Sequence, residues 1–304
     1  MNRQEIPPRK QETPSIDPMD QTLDAANLNW AILKTPVVFT PASAQAVHPT
    51  EVGEQSVLYR SDNHQKLAVA PSNHRPWQPR EVVDFYLSLA SFYGLALEGV
   101  GHVQGGRKLW GLLNTGYGAA LSGTCCATMY LLLSTRCDSP LAAQANAVCL
   151  LDSGGIAVPA APGKSTTARI ARSFEFLTPS DLAEIGELMR ECITFPSFLE
   201  ELSRRSVSDA EIKRATAAAF GSRRGDPEVP AAKAFRAVVK SLNQKSSETT
   251  ALDLLCALAA LSDARDRKRL PHDFQSAAWF GAGFKRKQLT VQAFARMLGA
   301  CPNQ

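Results

Sequence analysis

Residues 95–114 read LALEGVGHVQGGRKLWGLLN, and this stretch decides the fold. Apolar and small residues recur at every second position from Leu95 to Val103, which is the period of a half-buried β-strand. The dipeptide Gly105-Gly106 is a turn signal, and Lys108–Asn114 then predicts a returning strand. We therefore expect an antiparallel hairpin at the centre of the sequence.

A second hairpin and one helix are predicted before this one. The apolar runs Val57–Arg60 and Leu67–Ala70 flank the turn residues Ser61-Asp62-Asn63, as in a hairpin. Pro79 suits the first turn of a helix, apolar residues follow it at helical spacing, and Gly94 ends the run. The order hairpin, helix, hairpin is typical of an α+β domain.

After the central hairpin, the predicted secondary structure changes from strands to helices. Two apolar runs of strand length, Thr124–Thr135 and Ala143–Leu151, come first. Helical signals then dominate from Thr178 to Leu298, including a capping box that begins at Ser208. The fold class that we predict is α+β: an N-terminal, largely antiparallel sheet with one long packed helix, followed by an all-helical C-terminal part.

The length of 304 residues allows one large domain or two smaller ones. Residues 1–25 are polar and rich in Pro, Gln and Asp, which indicates a disordered arm. We assign residues 26–160 to the sheet domain and residues 161–177 to a Gly/Pro/Ser/Thr-rich linker. Residues 178–304 then form a helical region that we expect to pack on the sheet domain.

Composition excludes several classes of protein. A hydrophobic content of 44% excludes wholesale disorder, and no apolar run is long enough to span a membrane. The N-terminus lacks the apolar core of a signal peptide, and none of the seven cysteines forms a CxxC pair. We therefore expect a cytoplasmic protein with reduced thiols, no membrane partner, no cofactor and no metal.

Charge is unevenly distributed along the chain. Residues 1–200 carry 15 Lys and Arg against 19 Asp and Glu, whereas residues 201–304 carry 18 against 10. A basic C-terminal part predicts a polyanionic partner, and nucleic acid is the commonest one. The alternative is a solvated basic helical surface with no partner.

Cations cluster at three places in the sequence, and at two of them they lie beside aromatic residues. Such a combination is used to bind single strands, because rings stack on bases while cations meet phosphates. The candidate nucleic-acid-binding residues are Arg107, Lys108 and Trp110 on the hairpin, Arg265, Arg267, Lys268 and Arg269 after a helix, and Lys285, Arg286 and Lys287 at the start of the last helix. Beside the last cluster, Trp279 and Phe280 are expected in the core.

Catalytic motifs are missing from the sequence. No histidine pairs at i, i+4 with another metal ligand, and there is no nucleophile elbow. We therefore expect no catalytic residues, although a hydrolase with a dispersed site stays open if a deep pocket holds a His or carboxylate cluster.

Several motifs resemble one known family. They are Tyr59-Arg60-Ser61-Asp62-Asn63, Trp77-Gln78-Pro79-Arg80-Glu81, the stretch from Glu98 to Trp110, Leu132-Leu133-Ser134-Thr135-Arg136-Cys137 and Ser276-Ala277-Ala278-Trp279-Phe280. Through them the chain resembles the phage/plasmid-like protein family, domain of unknown function 932, from about Trp30 to Leu298. The resemblance implies residence on mobile elements and a cytoplasmic location, and it supplies no catalytic residues. Family members carry two asparagines where this chain has Leu150 and Leu151 in the segment Cys149-Leu150-Leu151-Asp152.

Two hypotheses of function follow. The first is a non-enzymatic accessory protein that binds nucleic acid, with single-stranded DNA favoured, for annealing in recombination or for maintenance of mobile DNA. Its strand and helix order resembles single-strand annealing proteins of phage recombination at the level of fold, and annealing suits a homo-oligomer with a cationic groove. The alternative is a protein-interaction module that binds a host protein, either to counter host defence, as anti-restriction proteins do, or to regulate plasmid functions.

Overall fold

The computed structural model describes residues 17–40, 50–121, 126–137, 143–152, 155–160, 167–171, 175, 177–221, 231–243 and 248–299. Its first part contains α1 (Pro18–Ala25), β1 (Ile32–Phe39), β2 (Thr50–Arg60), β3 (Lys66–Pro71) and α2 (Pro79–Tyr93). Next come β4 (Ala96–Val103), a 3-10 turn (Gln104–Gly106), β5 (Lys108–Ala120), β6 (Cys126–Arg136), β7 (Ala143–Leu151), β8 (Ile156–Pro159) and β9 (Thr167–Ile170). The helices that follow are α3 (Pro179–Arg204), α4 (Asp209–Phe220), α5 (Ala232–Leu242), α6 (Ala251–Arg269), α7 (Phe274–Phe280) and α8 (Ala282–Met297).

The strands form two antiparallel sheets. One has three strands in the order β1-β2-β3, and the other has the order β4-β5-β6-β7-β8, with β9 also pairing with β7. The predicted α+β class is confirmed, as are the two hairpins, the helix that ends at Gly94 and the helical C-terminal part. The sequence did not reveal that the strands separate into two sheets. Strand β3 is at the edge of one sheet and β4 is at the edge of the other, and α2 comes between them in the chain.

The large sheet has two different faces. Its inner face carries buried side chains such as Leu113, Leu131 and Leu133, and helices α2 and α3 pack against it. Its outer face carries the alternate positions, among them Trp110, Leu112, Leu132 and Ser134. The aromatic residues of α7 and of the start of α8 rest on part of this outer face.

Two segments differ from the sequence prediction. Residues 18–25, which we had placed in a disordered arm, form α1: Asp17 caps it, Leu23 is buried, and Arg80 of α2 pairs with Asp17 at 2.7 Å. Residues 167–170, which we had placed in a linker, form β9, because the backbone of Ala143–Asn146 in β7 offers an edge for pairing. The rest of the arm, residues 1–16, and residues 161–166 of the linker lie outside the described residues.

Candidate nucleic-acid interface

Cations from three strands lie on the outer face at one end of the large sheet. Lys108 of β5 is the cross-strand partner of Arg136 of β6. One position further along the same face, Trp110 pairs with Ser134, and across β7 the position of Gln144 is in register with Arg169 of β9. We call Lys108, Arg136 and Arg169 the cation row.

The strand pairing places the positive charges of Lys108 and Arg136 opposite one another. Residues directly opposite in an antiparallel pair have Cβ atoms about 5 Å apart, and like charges at such positions destabilise the sheet. Both positions carry a positive charge, so the phosphates of a polyanion would be attracted to them. Sequence reasoning had found Lys108 but missed Arg136 and Arg169, because only the register of the strands brings them together.

Helix α7 connects the cations at the end of α6 with the same end of the large sheet. The backbone N–H of Gln104 donates to Asp273 Oδ1 at 3.3 Å, and its Nε2 donates to Ser276 Oγ at 3.0 Å. At the two ends of α7, Arg267 lies 4.6 Å from the ring centroid of Phe274, and Lys108 Nζ lies 4.4 Å from that of Phe280. The seven-residue helix spans only about 10 Å, so the cations at the end of α6 adjoin the cation row.

Besides Arg267, four of the predicted residues are exposed at this end of the sheet. They are Arg107, Arg265, Lys268 and Arg269. Arg107 follows the 3-10 turn that holds α7, and the other three belong to the last turns of α6. The predicted clusters at Arg107 and at the end of α6 are therefore brought close together.

In the third predicted cluster, Lys285 is exposed but Arg286 and Lys287 pair with acids. Lys287 is only 1% exposed, and its Nζ bonds to Asp263 Oδ1 at 2.9 Å. Arg286 pairs with Asp266, and its Nε donates to Ser262 Oγ at 3.0 Å. Arg286 and Lys287 therefore leave the candidate interface, because acids of α6 neutralise their charges between α6 and α8.

The ring of Trp110 lies flat on two glycines of β4. A Cβ on Gly101 would come within 2.7 Å of the ring, so Gly101 admits a side chain only if the ring shifts, whereas a Cβ on Gly99 would meet the ring at an ordinary contact distance of 3.6 Å. Trp279 of α7 packs edge-on against Trp110 with 5.0 Å between the ring centroids. Trp279 and Phe280, which we expected in the core, are half-buried on this outer face.

Comparison with known families adds one finding. Residues 66–150 match the model of a family described as a domain of unknown function, DUF932. This segment of the chain is therefore similar to the DUF932 family. The matched segment runs from β3 into β7 and contains Lys108, Trp110, Ser134 and Arg136. No curated protein and no solved structure matches the chain.

The far end of the outer face of the large sheet carries a negative charge. Glu98 accepts hydrogen bonds from Asn114 Nδ2 at 2.6 Å and from Tyr130 Oη at 2.7 Å. The bond from Asn114, followed by that from Tyr130, lowers the pKa of Glu98. Burial, followed by the Glu98 carboxylate, raises the pKa of Tyr130 to about 12. This carboxylate repels phosphate, so it limits the cationic region to the end of the face that holds the cation row.

The Tyr59-Arg60-Ser61-Asp62 motif, which precedes the DUF932 segment, joins the two sheets. Arg60 is 3% exposed, forms two hydrogen bonds to Asp62 at 2.9 and 2.6 Å, and lies 4.3 Å from the ring centroid of Trp30. Its Nη1 is 3.4 Å from His102 Nε2. Burial and then the nearby Arg60 charge lower the pKa of His102, so the neutral ring accepts from the guanidinium. This motif is therefore structural and does not face a ligand.

Two absences concern only the part of the chain that the structure describes. Within those ranges, no three His, Cys, Asp or Glu side chains are placed to hold a metal ion. None of the helices in those ranges combines the length and the apolar character needed to cross a membrane.

Proposed function

We propose that this protein binds single-stranded nucleic acid along the cation row and α7. The observation that carries the proposal is that Lys108, Arg136 and Arg169 share one sheet face, and that Arg267 of α6 contacts the first residue of α7. The last residue of α7 contacts Lys108. A phosphate backbone laid across them would meet cations from three strands and one helix. Such binding needs no catalytic group.

The rings around these cations favour a single strand over a duplex. Trp110, Phe274 and Phe280 lie next to the cations and are all half-buried. Bases of a single strand can stack on such rings, whereas a duplex keeps its bases stacked inside. The family resemblance suggests a setting on mobile DNA in the cytoplasm. The binding proposed here would suit annealing or maintenance of that DNA by a homo-oligomer.

The test is a titration of the full chain with a fluorescein-labelled 20-nucleotide single strand at 50 to 200 mM salt, followed by fluorescence anisotropy. Because bound cations displace counterions, we expect affinity to fall steeply with salt. In the double variant Lys108→Gln/Arg136→Gln, the slope of log affinity against log salt should decrease in magnitude by about 1.4, since each lost phosphate contact removes about 0.7 for single strands.

The matched control removes two exposed cations of α4, Lys213→Gln and Arg214→Gln, which lie outside the proposed interface. This variant should keep the slope of the unaltered chain. Failure of the unaltered chain to bind the strand at 50 mM salt would refute the proposal, as would equal slopes for the two double variants.

One observation supports a second candidate, a protein-interaction module. On the outward face of the three-stranded sheet, Leu33 is 41% and Val69 is 45% exposed. By strand register Leu33 lies opposite Tyr59 and Val69 lies opposite Val57, and Tyr59 and Val57 are two residues apart on β2. Contiguous exposed apolar side chains mark interaction sites. Under this alternative, Val69→Lys should abolish nuclease-resistant co-purification of a host protein and leave oligonucleotide affinity unchanged. Co-purification that survives Val69→Lys would contradict it.

A further inference from the structure

Two buried polar groups on the outer face have no hydrogen-bond partner among the described residues. They are the hydroxyl of Ser134, a residue only 2% exposed, and the indole N–H of Trp110. Ser134 and Trp110 are cross-strand partners in β5 and β6. Buried polar groups are nearly always bonded, and the exceptions need an explanation. Two exceptions on adjacent strands of one face point to a partner other than the residues that the structure describes.

The position of these groups indicates what that partner is. Each lies two residues along its strand from a member of the cation row, Trp110 from Lys108 and Ser134 from Arg136. Two residues correspond to about 7 Å on the same face of a strand. A strand whose phosphates contact Lys108 and Arg136 would therefore have its bases beside the two unpartnered groups.

Helix α7 covers this part of the face through contacts that a base can replace. Only Ser276, Ala277 and Ala278 of its seven residues are buried. Its Trp279 meets Trp110 ring to ring, and a nucleobase presents a flat ring of similar size for the same contact. Its polar attachment is to Gln104, whose backbone adopts φ 55°, a strained left-handed conformation for a non-glycine residue.

We propose that the outer face under α7 is a base-contact site, in which Ser134 and Trp110 hydrogen-bond to bases while one base takes the place of Trp279 on Trp110. The inference rests on the proposed function and deepens it: the ligand is recognised by its bases as well as by its phosphates. In the free protein the Trp279 ring covers Trp110, and the bound strand displaces this ring.

The first arm of the test measures thermal unfolding of the free protein. Ser134→Ala removes an unsatisfied buried hydroxyl, so the melting temperature should rise by about 2–4 °C. The matched control is Ser56→Ala, a buried strand serine whose hydroxyl bonds to Ser72 Oγ at 3.2 Å, and this variant should lose stability. A melting temperature that is unchanged or lower for Ser134→Ala would mean that its hydroxyl already has a partner, and would overturn the proposal.

The second arm compares a mixed-sequence 20-nucleotide strand with an abasic strand that carries the same number of phosphates. The unaltered chain should prefer the strand with bases, and Ser134→Ala should weaken binding of that strand about 3–10-fold, the worth of one hydrogen bond, without affecting the abasic strand. Trp279→Leu should strengthen binding of the strand with bases, because the competing ring is gone. Ser56→Ala should leave both affinities unchanged.

The outcomes separate this inference from the proposed function. Equal binding of the two strands by the unaltered chain would overturn the base-contact site and leave phosphate binding intact, and so would an unchanged affinity in Ser134→Ala. Weaker binding in a folded Trp279→Leu variant would overturn the exchange of Trp279 for a base. Failure to bind either strand at low salt would overturn both proposals.

Discussion

Replacing Asp263 with Ala is expected to lower the free energy of unfolding by about 3–5 kcal/mol, because it leaves a buried ammonium without its counter-charge. Lys287 is 1% exposed, and its Nζ lies 2.9 Å from Asp263 Oδ1. The carboxylate side is less buried, with 15% of the Asp263 side chain exposed. Deleting the acid is therefore worse than deleting the base, because water can reach an unpaired Asp263 but not an unpaired Lys287. Urea unfolding at pH 7 measures the loss.

The loss of stability in Asp263→Ala should depend on pH. Burial, opposed by Asp263, holds the pKa of Lys287 below its usual value of 10.5 in the folded protein. The folded chain therefore binds fewer protons than the unfolded chain between the folded and unfolded pKa values, so stability rises with pH across that window. Removing Asp263 lowers the folded pKa further and extends the window downward. The deficit of Asp263→Ala should thus shrink between pH 7 and pH 9.5.

Two controls test the cause of this loss. Glu187→Ala breaks an exposed pair with Arg190 on α3 and should cost less than about 1 kcal/mol. The double variant Asp263→Leu/Lys287→Met removes both charges and should recover most of the stability. A loss in Asp263→Ala as small as that in Glu187→Ala would contradict the burial argument, as would a deficit that grows with pH.

The secondary structure was predictable where its signals are local. The alternation from Leu95 to Val103 is a property of neighbouring residues, and β4 appears there as Ala96–Val103. Gly94 ends α2 in the left-handed conformation that glycine adopts without strain. The short strand β9 was missed because its four residues carry no period of their own and depend on the edge of β7.

The candidate site was only partly predictable, because a run of cations in a helical sequence does not share one face. Successive helical residues differ in direction by about 100°, since 3.6 residues make one turn. Lys285 therefore faces solvent, while Arg286 and Lys287 face α6. A signal was present in the sequence: Asp263 and Asp266 are spaced i, i+3 on α6, as an acidic partner face requires.

For the cation row the sequence prediction failed for the opposite reason, because residues that share one surface are far apart in the sequence. Lys108 and Arg136 belong to different strands, and no local pattern states that they are partners. Register depends on the hydrophobic pattern of the whole sheet, and a shift of one residue would move Arg136 to the inner face. The sequence placed Arg136 inside a family-like motif, but only the pairing assigns it to the same surface as Lys108.

Replacing Gly111 with Ala is expected to lower the free energy of unfolding by about 2–4 kcal/mol, through overpacking and a broken buried hydrogen bond. Gly111 lies on the inner face of β5, where an added Cβ would come within 2.6 Å of Cδ2 of Tyr86. The Tyr86 ring is fully buried, and its hydroxyl donates to Thr135 Oγ1 at 3.0 Å. It cannot yield without losing that bond, and an unpaired phenol would then stay buried.

The measurement is chemical unfolding of Gly111→Ala beside Gly53→Ala. Gly53 is an exposed strand glycine of β2 with nothing within 4 Å of an added Cβ, so its substitution should change stability by less than about 0.5 kcal/mol. A smaller side chain at position 86 should relieve the clash, so Gly111→Ala/Tyr86→Leu should cost less than the sum of the two single variants. If the stability losses of the two single variants add up to that of the double variant, position 111 does not need a glycine to make room for the Tyr86 ring. The packing of α2 on the sheet would then not depend on this contact.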